Sequence, residues 1–326
     1  MTERGYALLR GVSRSFYISI RALPRVLREP VALGYLLART SDTIADTQAV
    51  ELNRRIELLD QFAAAINGAA PESEVATAVS QSIRAGSATN EEQTLLASTE
   101  VFLRELATSD AADRADIRML LATIIRGQRL DLLRWNGGMA ALRNGAKLRE
   151  YTYLVAGCVG EFWTRLCFRK LPGFATADTA EMMKLGRGYG CGLQLVNVLR
   201  DAGEDLRAGR CYFPEDELRS AGLTPEQIEK YPEKFLPVYH RWVGEARNGL
   251  DAGLEYCIAI NPPRVRLATV LPALIGIRTL ELLKNAGVTA LTQRVKVPRA
   301  EVRKMIASTA ITLANRTRLR SMRARL

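Results

Sequence analysis

The chain has 326 residues, 48% of them hydrophobic and 25% charged, and carries a net charge of +11 at neutral pH. Those proportions allow a sizeable core without disulfides and exclude a disordered chain. With His240 as the only histidine, neither a histidine-based zinc site nor a Ser/His/Asp triad can be assembled, so carboxylates must carry any metal.

In chain order, the opening MTERGYALLRG has charges at Glu3 and Arg4 and no continuous apolar core, so it is not read as a secretory signal. Apolar residues then recur at helical spacing, as in Ile117, Leu120, Leu121 and Ile124, while β alternation bounded by hairpin turns is missing. The spacing predicts helices over about 30–47, 51–66, 90–107, 113–135, 147–169, 177–206, 234–259, 264–284 and 299–316. Breakers such as Pro71, Gly137-Gly138, Pro172-Gly173 and Pro262-Pro263 separate them. The fold class is therefore all-α, and uniform composition without a Pro/Gly/Ser linker predicts one domain over 1–326. No uncharged stretch reaches ~18 residues, which predicts a soluble cytoplasmic protein or one held only at the inner membrane surface.

The five cysteines form no CxxC pair and read as reduced, buried thiols. The segment 316–326, with Arg316, Arg318, Arg320, Arg323 and Arg325, is a basic tail: either a solvated, frayed end or a peripheral contact with anionic lipid. The net positive charge points to an anionic partner, and the lack of a zinc-finger or aromatic-rich RNA-binding motif argues against nucleic acid. No oligomeric state is assigned.

Two helices share a polar pattern. Tyr35, Arg39, Asp42 and Asp46 lie at relative positions 0, 4, 7 and 11, on one helical face. Gln194, Asn197, Asp201 and Asp205 lie at 0, 3, 7 and 11, again on one face. Carboxylates at i,i+4 repel each other, so something cationic must compensate. Magnesium takes oxygen ligands and bridges carboxylates to substrate phosphates, so two facing DxxxD helices would hold a metal–diphosphate cluster in a bundle core. The alternatives are solvated acidic turns, and Arg39 and Arg200 as structural ion-pair partners of the aspartates.

At these residues a resemblance becomes specific. Ser13-Arg-Ser-Phe16 and Tyr35-Leu-Leu-Ala-Arg-Thr-Ser-Asp42-Thr-Ile-Ala-Asp46 resemble the first signature of squalene and phytoene synthases. Asn197-Val-Leu-Arg-Asp201-Ala-Gly-Glu-Asp205 with Gly209-Arg-Cys-Tyr-Phe-Pro214 resembles the second, and Tyr151 to Gly160 resembles the family's central helix. The resemblance spans about residues 10–300 and implies a single-domain isoprenoid-synthase helical bundle with a central active-site cavity. It makes Asp42, Asp46, Asp201 and Asp205 magnesium and diphosphate positions. Gln194 and Asn197 would support the second cluster, Asn197 as a further metal ligand. Ser13, Ser15, Tyr35, Arg39, Arg200 and Tyr212 would bind diphosphate, and Tyr151 would move a proton in the first half-reaction or make one structural hydrogen bond. The uncharged Thr43, Ile44 and Ala45 depart from members with an extra acid in the first motif, leaving the number of metal ions open. Gly186, Gly188, Gly190 and Gly192 do not fit GxGxxG and read as close helix packing.

The resemblance implies magnesium-dependent, head-to-head condensation of two farnesyl diphosphates through a cyclopropylcarbinyl diphosphate. Tyr151 to Gly160 and Arg294-Val-Lys-Val-Pro-Arg299 look closer to squalene synthases, which implies squalene and NADPH. Arg294 and Lys296 are then candidate phosphate contacts, or solvated surface charge. The alternatives are dehydrosqualene, phytoene or hydroxysqualene synthase without hydride transfer, and a noncatalytic scaffold relative. A head-to-tail elongation enzyme lacks support because neither stripe has adjacent acids.

Overall fold

Helical periodicity governs nearly the whole chain in the computed structural model, which describes residues 3–13, 17, 20, 21, 23–83, 89–135 and 137–312. These fall into two compact units: Met1–Leu133 with Arg165–Lys170, and Arg134–Thr164 with Leu171–Leu326.

The first unit contains α1 (Glu3–Ser13), α2 (Arg25–Asp46), α3 (Leu52–Asn67), α4 (Glu72–Ile83), α5 (Asn90–Ala97), α6 (Thr99–Thr108) and α7 (Ala111–Arg134, its final residue counting with the second unit). Helix α2 buries Leu27, Val31, Leu36, Leu37 and Ile44 and packs against α1, α3, α5 and α6. It starts five residues before the expected position, with Pro30 inside the helix. Near an N-terminus its missing N–H forfeits a single backbone bond, so the helix runs through it. The expected helix over 90–107 is divided at Ser98, and α5 is opened by a Thr89–Glu92 capping box. On α7, buried Asp113 and Asp116 accept from Arg169 at 2.9 and 2.6 Å, and Asp116 also accepts from Arg165 at 3.1 Å. Lys170 lies 3.0 Å from Asp113, and these pairs tie residues 165–170 to the first unit.

The second unit holds β1 (Ala140–Leu142), α8 (Gly145–Thr152), a π-helical turn (Tyr153–Gly157), α9 (Cys158–Lys170, whose end counts with the first unit), α10 (Thr179–Arg200) and α11 (Ala202–Arg207). There follow β2 (Arg210–Pro214), α12 (Glu215–Ser220), α13 (Pro232–Ala259), α14 (Pro263–Ala286) and α15 (Arg299–Thr312). Strands β1 and β2 pair in parallel with Ala140 opposite Arg210; at three and five residues they are too short to show alternation in sequence. The expected helix over 147–169 carries the π turn, and that over 177–206 is jointed at Asp201. All five cysteines are free thiols, and all but the half-buried Cys191 are buried. No helix among the described residues is long and apolar enough to cross a membrane.

Helix α10 is the axis of this unit, packed on α13, α14 and the π turn. Its glycines explain the closeness. A Cβ at Gly190 would lie 2.2 Å from the Ala156 carbonyl oxygen, and one at Gly192 2.8 Å from Gly249 backbone. Gly186 meets Gly160 in the same way, whereas a Cβ at Gly188 would meet nothing nearer than 3.6 Å. The close-packing reading thus holds for three of the four glycines. Gly190→Ala should therefore destabilise the protein by about 1–3 kcal/mol in thermal or denaturant unfolding, while Gly188→Ala should cost less than about 0.5 kcal/mol. Equal effects would contradict the contact assignment.

Candidate active site

In the first unit, Asp42 and Asp46 occupy the last turn of α2, which has no basic residue there. Two carboxylates at the negative end of a helix dipole oppose both each other and the dipole. Asp42 is half-buried and accepts a 2.5 Å hydrogen bond from Gln128 Nε2 of α7, while Asp46 is exposed. Burial, then the neighbouring Asp46 charge, push the Asp42 carboxyl up to about 6, against the smaller opposing effects of Arg39 and the Gln128 bond. Arg39 is held by Glu92 at 2.8 Å, and its Nε is buried without a partner among the described residues. The Tyr35 hydroxyl reaches the Val12 carbonyl at 3.4 Å, and burial raises its pKa.

The second unit treats its aspartates differently. Asp201 sits at the joint between α10 and α11, yet Asp201 N to Asn197 O and Asp205 N to Asp201 O, both 2.9 Å, continue helical hydrogen bonding through it. That continuity preserves the predicted spacing. Arg200 donates to both Asp201 oxygens, at 2.8 and 2.5 Å, and Arg210 donates to Asp205 at 3.1 and 2.7 Å. Burial nevertheless raises the Asp205 pKa, outweighing the lowering by Arg210. Upstream, Asn197 donates to Gln194 at 3.2 Å and Gln194 to the Tyr151 hydroxyl at 3.3 Å. Tyr151 stacks on Tyr212 with ring centroids 4.6 Å apart, and Trp135 meets Tyr212 edge-on at 5.2 Å. The second stripe, Tyr151 and Tyr212 are thus gathered into one half-buried polar and aromatic surface.

The first pair fits a hard cation. Asp42 offers a carboxylate whose charge is undercompensated, and Gln128 Oε1 is a buried acceptor without a partner among the described residues. Among the described residues, no three acidic, thiol or imidazole side chains gather into a metal cage of their own. Magnesium commonly uses one or two carboxylates and completes its shell with water and substrate phosphate. The second pair fits with an exchange: Asp201 and Asp205 are satisfied by arginines, which a cation would have to displace or share.

Residues 9–301 match the family described as squalene/phytoene synthase. This chain belongs to that family. A squalene synthase of Gibberella zeae is 25% identical over 314 residues, covering 92% of this chain and 62% of the relative. A bifunctional lycopene cyclase/phytoene synthase of Phaeosphaeria nodorum is 28% identical over 237 residues, covering 69% of this chain and 36% of the relative. The chain thus spans less than two thirds of the length of these curated relatives. The solved complex of TcSQS with a ligand superposes with a TM-score of 0.77 at 21% identity, covering 94% of this chain and 85% of that one. The likeness shows the fold, an all-α isoprenoid-synthase bundle.

The other sequence-predicted positions are dispersed. Arg294 is exposed and lies 3.8 Å from Glu204, and Lys296 is exposed on the irregular segment before α15. Ser15, the Ser13 side chain and the basic tail 316–326 lie outside the described residues. Two neighbours of the aspartates were missed. Gln128 falls where the α7 stripe Ile117, Leu121, Ile124 calls for an apolar residue, and that interruption was the available signal. Arg210 lies within the quoted second signature, five residues beyond its partner Asp205.

Because the folded-state pKa of Asp42 exceeds its ordinary 3.8, the folded chain holds more protons than the unfolded chain between about pH 4 and 6. Its effect on stability becomes unfavourable as pH rises through that window. In EDTA at pH 7.5, Asp42→Asn should raise the melting temperature by about 2–6 °C and flatten its pH dependence between pH 4 and 6. An unchanged or lower melting temperature would contradict the undercompensated charge.

Proposed function

We propose that this protein joins two farnesyl diphosphates head to head into a cyclopropylcarbinyl diphosphate and converts that intermediate to squalene. The observation that supports this most is the pair of aspartate motifs within the family match: Asp42 with only partly compensated charge, and Asp201 and Asp205 already joined to arginines. Magnesium bound at Asp42 and Asp46, and at Asp201, Asp205 and Asn197, would supply the positive charge that a departing diphosphate requires.

The chain's own residues do the rest. Arg200 and Asp201 form an internal ion pair whose members would each suit one part of a metal–diphosphate, the carboxylate the cation and the guanidinium the phosphate. Arg210 and Asp205 form a second such pair. Tyr35, Arg39 and Tyr212, with Ser13 and Ser15, orient the diphosphates. The Tyr151 hydroxyl is supported by Gln194 and backed by the Tyr212 ring, a placement suited to moving a proton at Tyr151 Oη. Apolar side chains exclude water from allylic cations.

Squalene is preferred for the similarity of the Tyr151 to Gly160 segment and of residues 294–299 to squalene synthases. Its formation requires a hydride donor, NADPH. Arg294 and Lys296, exposed and with Arg294 near Glu204, do not by themselves build a nucleotide site, so no step is assigned to them.

Incubation of the purified protein with farnesyl diphosphate and magnesium, with and without NADPH, followed by mass analysis of the products, tests this reading. Squalene should form only with NADPH; without it the cyclopropyl intermediate, alcohols or dehydrosqualene should accumulate. Identical products in both arms would move the assignment to a dehydrosqualene, phytoene or hydroxysqualene synthase. No condensation at all would overturn it.

A further inference from the structure

The π turn at Tyr153–Gly157 lies two residues beyond Tyr151, and π turns inside helices concentrate at functional positions. It has a specific tether. The Tyr153 hydroxyl donates to Glu161 Oε2 at 3.2 Å, and Arg187 Nε of α10 donates to Glu161 Oε1 at 2.5 Å. Arg187 also lies over the Tyr153 ring, 5.6 Å from its centroid. Glu161 is only 8% exposed, so both of its oxygens are committed inside the protein. Burial and the adjacent Glu161 charge hold the Tyr153 phenol above its ordinary pKa, so it remains a donor at neutral pH.

The spacing explains why the tether and the π turn belong together. In an uninterrupted α-helix, residues eight apart point about 80° away from each other, at about 100° per residue. A wide turn that absorbs one residue returns them to within about 20°, the relation of residues seven apart. Tyr153 and Glu161 are eight apart, and they meet because the wide turn intervenes. Loss of that turn would rotate everything before it, Tyr151 included, by about 100° relative to α9. The turn is also pressed on α10, where a Cβ at Gly157 would lie 2.7 Å from Cys191 Sγ and one at Gly190 would lie 2.2 Å from the Ala156 oxygen. Glycine contacts fix where the turn sits; the Tyr153–Glu161–Arg187 bridge fixes its register.

We propose that Glu161 and Tyr153 are positioning residues: with Arg187 on the second Glu161 oxygen, they hold the π turn in the register that keeps the Tyr151 hydroxyl against Gln194. The inference rests on the reading of Tyr151 as a participant in the condensation. It assigns a task in that reaction to an acid and a tyrosine outside both aspartate motifs.

Tyr153→Phe removes one hydroxyl and Glu161→Gln one charge, so both variants should fold. Steady-state kinetics with farnesyl diphosphate should show kcat reduced about 10-fold in each and KM changed less than about twofold, as expected when transition-state geometry and not binding is lost. In a Tyr151→Phe background, the same substitutions should reduce kcat no further, because they act through the missing hydroxyl. Amide hydrogen exchange should become at least about 10-fold faster across residues 147–157, with the rest of the unit unchanged. Losses that multiply in the Tyr151→Phe background, or unaltered exchange, would overturn the proposal. If the wild-type protein makes no condensation product, the reading of the reaction falls separately, and the exchange measurement still decides whether the bridge holds the turn.

Discussion

Two carboxylates one turn apart at the C-terminal end of a helix are held against their mutual repulsion and against the helix dipole, and the site is organised around that opposition. Asp42 shows its magnitude: burial beside Asp46 raises its pKa to about 6, so near neutral pH it is charged at a cost in stability. No basic residue stands in the last turn of α2 to relieve it. Arg39 and the Gln128 hydrogen bond offset only part of that cost, which an external cation would relieve further. This is why the chemistry of the pair, more than the presence of two acids, supports magnesium.

Asp201 and Asp205 meet the same problem with internal arginines, and under the proposed reaction each solution would suit the capture and release of diphosphate. An undercompensated carboxylate draws a cation strongly, whereas an arginine–aspartate pair separates only when both partners are offered replacements. Around them the second unit is closely packed through glycine-mediated contacts of α10 with α13 and with the π turn. Tyr151 therefore sits at a helix end bounded by the α10 glycine contacts, the Glu161 bridge and the Tyr212 ring.

Much of this was legible in the sequence because helical periodicity needs no tertiary information. The spacing of Tyr35, Arg39, Asp42 and Asp46 placed them on one face, and the apolar stripe of α7 was visible in Ile117, Leu121 and Ile124. Helix ends and interruptions were not. The π turn leaves no signature in Tyr-Leu-Val-Ala-Gly, Ser98 looks like an ordinary helical serine, and Pro30 looks like a start. The β1–β2 pairing joins residues about seventy positions apart and depends on tertiary contact. The aspartates' partners were partly hidden for the same reason: Gln128 lies 86 residues from Asp42 in sequence. Arg200 could be paired with Asp201 by adjacency alone, whereas the glutamate facing Arg39 lies 53 residues away.

The most direct test of the central claim is a thermal shift with magnesium and an unreactive farnesyl thiodiphosphate, measured for the wild-type protein and for Asp42→Asn. Ligands that bind only the folded chain raise its stability by about 2.7 kcal/mol at a concentration 100 times the Kd. The wild-type protein should show a shift with both ligands together that exceeds the sum of the shifts with each alone, and the variant should lose that excess. An equal excess in the variant would mean that Asp42 holds no metal–diphosphate, and would contradict the account.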